Sequence, residues 1–288
     1  MSSVLRQAER PIAIFDSGVG GLSVLRHIQT QMPLERLLYL ADQVHVPYGA
    51  RSLEEIRRFS EGITRFFLEQ QAKIVVVACN TASAAALNHL RSTFPDVPFV
   101  GMEPAVKPAA ARTRSGKVGV LATSGTFQSE RYADLMARFA REIVVLEDPC
   151  RGLVEQIEAG AVTSAGTEQL LRACLEPMLA AGVDTLVLGC THYPFVTPLI
   201  ERIAGPAVAI IDPAPAVAGQ TKRVLRQRGR LAATGPAGQV QLWTTGSVQT
   251  LRQLARQLVG FHGRVEMAVW QEDLLAQAVP GTGRRESP

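Results

Sequence analysis

Residues 73–90 read KIVVVACNTASAAALNHL, and residues 184–200 read DTLVLGCTHYPFVTPLI. In each, a short apolar run ends on a small residue, then Cys, then polar residues that include hydroxyls. Apolar runs without alternation suit strands buried on both faces, as in a parallel sheet covered by helices. Cys79 is followed by Asn80 and Thr81, and Cys190 by Thr191 and His192. A thiol at the carboxyl end of such a strand stands where open α/β sheets bind ligands. A free Cys often only fills core space, but core filling does not require these polar neighbours, and not twice.

Outward from these stretches the same alternation continues. Short buried strands are predicted at 12–15, 37–40, 74–78, 99–101, 118–121, 143–146, 186–188 and 207–211. Segments with helical spacing, such as 53–70 and 167–181, lie between them. The pattern is βαβα, which makes the class α/β with parallel sheets. Pro-containing breaks near 104–108 and at Asp212-Pro213-Ala214-Pro215 suggest a domain over 104–212, with 1–103 and 213–288 joined as the other. The tail from Pro280 is expected to be disordered.

Composition narrows the functional classes. The chain has 288 residues, 47% hydrophobic and 19% charged, with a net charge of +4, which reads as a soluble globular protein. Arg223, Arg226, Arg228 and Arg230 resemble one solvated helical face. Aromatics are 6% and do not interleave with the charges, so a nucleic-acid surface is not expected. No apolar run is long enough to span a membrane. The start, MSSVLRQAERP, lacks a signal-peptide core. The expected compartment is the cytoplasm, where Cys79, Cys150, Cys174 and Cys190 stay reduced. Cys150 and Cys174 lack the strand-end context and read as structural.

Three further motifs each admit more than one reading. FDSGVGGLSVL (15–25) departs from the dinucleotide fingerprint, with Ser23 where a third Gly belongs. A tight turn that places Asp16 and Ser17 in a cleft fits better. ADQVHVPYGARS (41–52) is a loop, either a plain turn anchored by Tyr48 or a contact to a bound carboxylate. GCTHYP (189–194) could offer zinc ligands, a Cys–His nucleophile pair, or a Cys acting as base with His assisting. His27, His45, His89 and His262 read as surface or helix residues.

Two thiols on opposite faces of one carbon can invert it: one removes the α-proton, the other returns a proton to the far side. Helix N-termini after Cys79 and Cys190 would supply N–H groups and lower the thiol pKa values towards neutrality. Such chemistry needs no pyridoxal group.

At these residues the chain resembles the glutamate racemases, cofactor-independent enzymes that supply D-glutamate for bacterial peptidoglycan. The stretches that carry the resemblance are FDSGVGGLSVL, PYGARS, ACNTAS, MEPAVKPA, GVLATSGTF and LGCTHYP, with a weaker echo at LWTTG (242–246). Aspartate racemases resemble Gly-Cys-Thr-Glu at the second motif instead. The resemblance implies two pseudo-symmetric domains, each a mainly parallel sheet flanked by helices, with the active site in the interdomain cleft. It implies that Cys79 acts on the D-enantiomer and Cys190 on the L-enantiomer, assisted by Asp16, His192 and Glu158. Ser17, Pro47, Tyr48, Gly49, Asn80, Thr81, Thr126 and Thr191, with Asp16 and His192, would hold the substrate. The partner would be L- or D-glutamate, with no cofactor or metal and a possible homodimer. Ala122, Arg151-Gly152 and Pro213 depart from the family's pattern without touching the thiols. The competing functions are a two-lobed amino-acid binding protein without catalysis, and a Cys–His hydrolase that would not need Cys79.

Overall fold

A computed structural model describes residues 8–278 of the chain; the tail from Pro280 lies outside the described residues. The strands among the described residues are β1 (Ile12–Asp16), β2 (Leu37–Ala41), β3 (Ile74–Val77), β4 (Phe99–Gly101), β5 (Lys117–Leu121), β6 (Val144–Asp148), β7 (Thr185–Leu188), β8 (Ala209–Ile211), β9 (Val240–Thr244), β10 (Arg264–Gln271) and β11 (Leu274–Gln277). They form two sheets. One runs β11-β10-β9-β2-β1-β3-β4 and the other β6-β5-β7-β8. Every pairing is parallel except that of β10 with β11.

The pseudo-symmetry lies in the order of strands. In each sheet the first strand of a unit is central, the second lies on one side, and the third and fourth on the other: β2-β1-β3-β4 matches β6-β5-β7-β8. Cys79 follows β3 and Cys190 follows β7, so both thiols leave the third strand of their unit. The apolar runs behave as their composition requires. Every residue of β1, β3 and β7 is buried, because helices cover both faces of these central strands.

The symmetry stops at four strands. The first sheet continues through β9, β10 and β11, which the sequence reading did not predict. β10 reads RVEMAVWQ and mixes buried, half-buried and exposed positions, so it carries no continuous apolar run. The second sheet's β6 is likewise only partly buried and ends at Asp148, two residues beyond the predicted end. The helix Leu53–Glu69 begins with a capping box, in which Ser52 and Glu55 satisfy each other's backbone N–H groups.

Candidate active site

Cys79 and Cys190 line one small cavity of about 20 Å³ between the two sheets. Its other walls include Ser17, the Pro47-Tyr48-Gly49 loop, Asn80, Thr81, Thr191 and His192. Both thiols are nearly inaccessible, at 6% and 7% exposure. Thr123 and Val154 also line the space; the sequence reading had named Thr126. Thr126 is fully buried within 3.2 Å of Thr123 Oγ1 and 3.4 Å of Thr81 Oγ1, so it supports two lining hydroxyls from behind.

The two thiols have different supports. Cys79 caps the regular helix Asn80–Thr93, and its Sγ accepts from the Ala82 N–H at 3.4 Å. No comparable helix follows Cys190. Pro194 closes a single 3₁₀ turn at Tyr193–Val196, and the α-helix starts only at Thr197. The expectation of a helix N-terminus behind both thiols therefore holds for Cys79 alone. In its place Cys190 has a side chain: His192 Nδ1 lies 3.6 Å from its Sγ. The opposite ring nitrogen, Nε2, meets Glu158 Oε1 at 2.6 Å.

Electrostatics also correct the sequence reading. The Cys79 thiol is not drawn towards neutrality: burial pushes its pKa well up, and the nearby Asp16 carboxylate adds to the rise. Burial raises Asp16 as well, against the pull of His192. Burial opposes charge on His192 too, but its contacts with Cys190 and Glu158 outweigh that and hold its pKa well above the ordinary imidazole value. Glu158 is held below the usual carboxylate range, since His192, the Val19 N–H and Gln43 together outweigh its burial. His192 and Glu158 thus form a buried ion pair at the mouth of the second thiol.

Asp16 and Glu158 stand behind the cavity wall and join its two sides. Asp16 Oδ2 accepts from Thr191 Oγ1 at 3.0 Å, and its Oδ1 accepts from the Gly18 N–H at 2.9 Å. Glu158 accepts from Val19 N at 2.7 Å and from Gln43 Nε2 at 3.3 Å. The glycine-rich turn after β1 allows this close approach. A Cβ on Gly18 would collide with the Glu158 carboxylate, and one on Gly20 with Thr191 and His192. These glycines serve contact between the two units rather than a nucleotide.

The 41–52 loop is an anchored turn that also lines the cavity through Pro47, Tyr48 and Gly49. Tyr48 is buried and its hydroxyl donates to Asp42 Oδ2 at 2.6 Å. Asp42 also accepts from Thr245 Oγ1 at 2.9 Å and Trp270 Nε1 at 2.8 Å. His45, read from sequence as a surface or helix residue, instead sits 2.9 Å from Asp42 and stacks on Phe59. Asn80 presents the reverse case: both polar atoms of its buried side chain have no partner among the described residues. Such a group carries a desolvation cost of about 1–3 kcal/mol, and it borders the cavity.

Among the described residues no helix is long and apolar enough to cross a membrane. The family described as Asp/Glu/Hydantoin racemase matches residues 21–221. A glutamate racemase from Ectopseudomonas mendocina is 51% identical over 263 residues, 91% of this chain and 100% of that protein. The crystal structure of a glutamate racemase isoform from Bacillus anthracis aligns with TM-score 0.82 at 33% identity, covering 92% of this chain and 98% of that one. The Escherichia coli glutamate racemase, in complex with L-glutamate and the activator UDP-MurNAc-ala, aligns with TM-score 0.80 at 33% identity, covering 90% and 98%. The chain thus belongs to the Asp/Glu/hydantoin racemase family and, within it, to the glutamate racemases.

Proposed function

We propose that this protein interconverts L- and D-glutamate by deprotonation and reprotonation at Cα, and supplies D-glutamate for peptidoglycan. One observation carries the reading: two thiols from equivalent strand ends of two like-ordered sheets border the same cavity. A Cys–His hydrolase would leave Cys79 without a purpose.

In the L-to-D direction the Cys190 thiolate takes the α-proton. The electron pair left on Cα spreads into the α-carboxylate, and the Cys79 thiol delivers a proton to the other face. The D-to-L direction exchanges these roles. His192 is placed to exchange a proton with Cys190, and Asp16 supports Cys79 from behind the wall. Glu158 acts through His192, which makes it a positioning residue. Asn80, Ser17, Thr81 and Thr191 supply polar atoms for the charged ends of the substrate. The first N–H groups of the helix after Cys79 suit a carboxylate. A water-excluded cavity strengthens each of these contacts as charge develops on the substrate. Nothing in these steps requires pyridoxal phosphate or a metal.

We take 1–103 with 213–288, and 104–212, as the two lobes around this cleft. We place the protein in the cytoplasm, with a homodimer as a possible assembly and no role for nucleic acid.

The test is incubation with L-glutamate in heavy water, without added cofactor. The expected product is D-glutamate carrying deuterium at Cα. Dependence on pyridoxal phosphate, or exchange confined to aspartate, would overturn the reading. Tight binding of L-glutamate with no exchange would favour a two-lobed binding protein.

A further inference from the structure

Cys150 and Cys174, which the sequence reading set aside as structural, meet in the fold. The two thiols and the Asp148 carboxylate lie with their ligand atoms all within 4.8 Å of one another. They come from separate elements. Asp148 ends β6, Cys150 sits in the turn that follows, and Cys174 projects from the helix Ala165–Ala180. Cys150 is 1% exposed and Cys174 7%, while Asp148 is half-buried. Cys150 also holds φ at +42°, a conformation that costs an L-residue about 1–3 kcal/mol and persists where the surroundings impose it.

Two sulfurs and a carboxylate oxygen form a donor set suited to a thiophilic dication of the zinc class. Tetrahedral zinc with bonds of about 2.3 Å to sulfur separates its ligand atoms by about 3.7 Å. The three atoms here need to close by no more than about 1 Å to reach that geometry. Asp148 Oδ1 already accepts from the Cys150 N–H at 2.7 Å, which fixes the carboxylate and leaves its second oxygen for a cation. Three protein ligands leave a fourth position for solvent.

We propose that Asp148, Cys150 and Cys174 form a binding site for a zinc-class dication, separate from the cavity between the lobes. The cation would replace thiol protons with two metal–sulfur bonds and release those protons to solvent. It would clamp the end of β6 to the helix Ala165–Ala180. Between them runs the turn that leads into the helix Leu153–Glu158. Tyr193 donates to the Pro149 carbonyl at 3.5 Å, so the clamp also adjoins the GCTHYP segment.

Cobalt(II) is the probe, added anaerobically under a non-thiol reductant to Cys79→Ser/Cys190→Ser protein, whose only thiols are Cys150 and Cys174. The expected result is one equivalent of cobalt giving visible bands of tetrahedral thiolate coordination. Zinc should displace it, and zinc alone should raise Tm. Cys174→Ser should abolish the bands and the Tm shift. Cys150→Gly, chosen because glycine accepts the positive φ, should do the same, and Asp148→Asn should weaken binding. Absence of the bands from the parent protein, or their survival in Cys174→Ser or Cys150→Gly, would overturn the assignment.

Discussion

The settings of Cys79 and Cys190 begin alike and diverge within two residues. Each thiol leaves the third strand of a four-strand unit. Behind Cys79 the chain turns at once into a regular helix, so the thiol is held by backbone, through the Ala82 N–H. Behind Cys190, Pro194 delays the helix, and the thiol is served by an imidazole and a carboxylate. Two copies of one strand-order plan thus produce one thiol supported mainly by backbone and one supported by an ion pair. On the proposed chemistry the two faces of Cα meet unlike partners, although the reaction they share is symmetric.

The strongest way to break this comparison is to remove one thiol at a time. Either Cys→Ser variant should lose racemisation by more than about 10⁴-fold, beyond the usual range for one acid–base group. Elimination of HCl from a 3-chloroglutamate needs only the base, because chloride departs instead of a proton arriving. Cys79→Ser should therefore still release chloride from the L-enantiomer, and Cys190→Ser from the D-enantiomer. If chloride assays showed both variants preferring the same enantiomer, the thiols would not face opposite sides of Cα.

Next in size is the ion pair. His192→Ala should slow turnover by roughly 10²–10⁴-fold, with a smaller change in KM. Unchanged kcat in both directions would reduce His192 to packing.

The rate should be bell-shaped in pH, with limbs that belong to the coupled site. Asp16 has a raised pKa, so the acid limb should lie above the ordinary Asp value and activity should fall as pH drops through it. His192 also has a raised pKa, so activity should fall on the alkaline side as pH rises through it. Glu158→Gln removes one of the groups that hold His192 protonated. The alkaline limb should then move to lower pH while the acid limb moves less. A pH–rate profile in which that limb stays in place would detach Glu158 from the Cys190 side.

The smallest effect is expected at Tyr48. Its hydroxyl is committed to Asp42, so Tyr48→Phe should cost about 1.5–3 kcal/mol in stability, the range for a hydrogen bond to a charged group. Racemisation by the folded variant should change by less than about threefold, well below a lost hydrogen bond's full worth. A large fall in kcat/KM without loss of stability, measured by denaturant unfolding, would move Tyr48 to the substrate.

What the sequence revealed follows from how each feature is encoded. KIVVVAC and DTLVLGC are unbroken apolar runs, and such runs announce buried strands and their ends. FDSGVGG showed a tight turn, but not that Gly18 and Gly20 make room for Glu158 and His192 across the cleft. β10 was missed because its partly exposed residues break the apolar pattern. Cys150 and Cys174 looked inert because their meeting depends on how a helix packs against a strand end. Thiol acidity was misjudged at Cys79 because local sequence shows a helix N-terminus but not the burial that overrides it. Pro194 was in plain view, and its effect on the helix after Cys190 was legible from its missing N–H.

The cavity between the thiols measures about 20 Å³, room for about one water molecule and far too little for glutamate. On the proposed chemistry, glutamate would enter and leave only with the two sides of this cavity further apart. On the proposed division of labour, an L-to-D cycle ends with the proton on Cys190 and none on Cys79, a form suited only to D-glutamate. While the site is shut, a single water at most could carry a proton between the sulfurs. Restoring the starting form therefore falls to the open interval between products, when solvent reaches both.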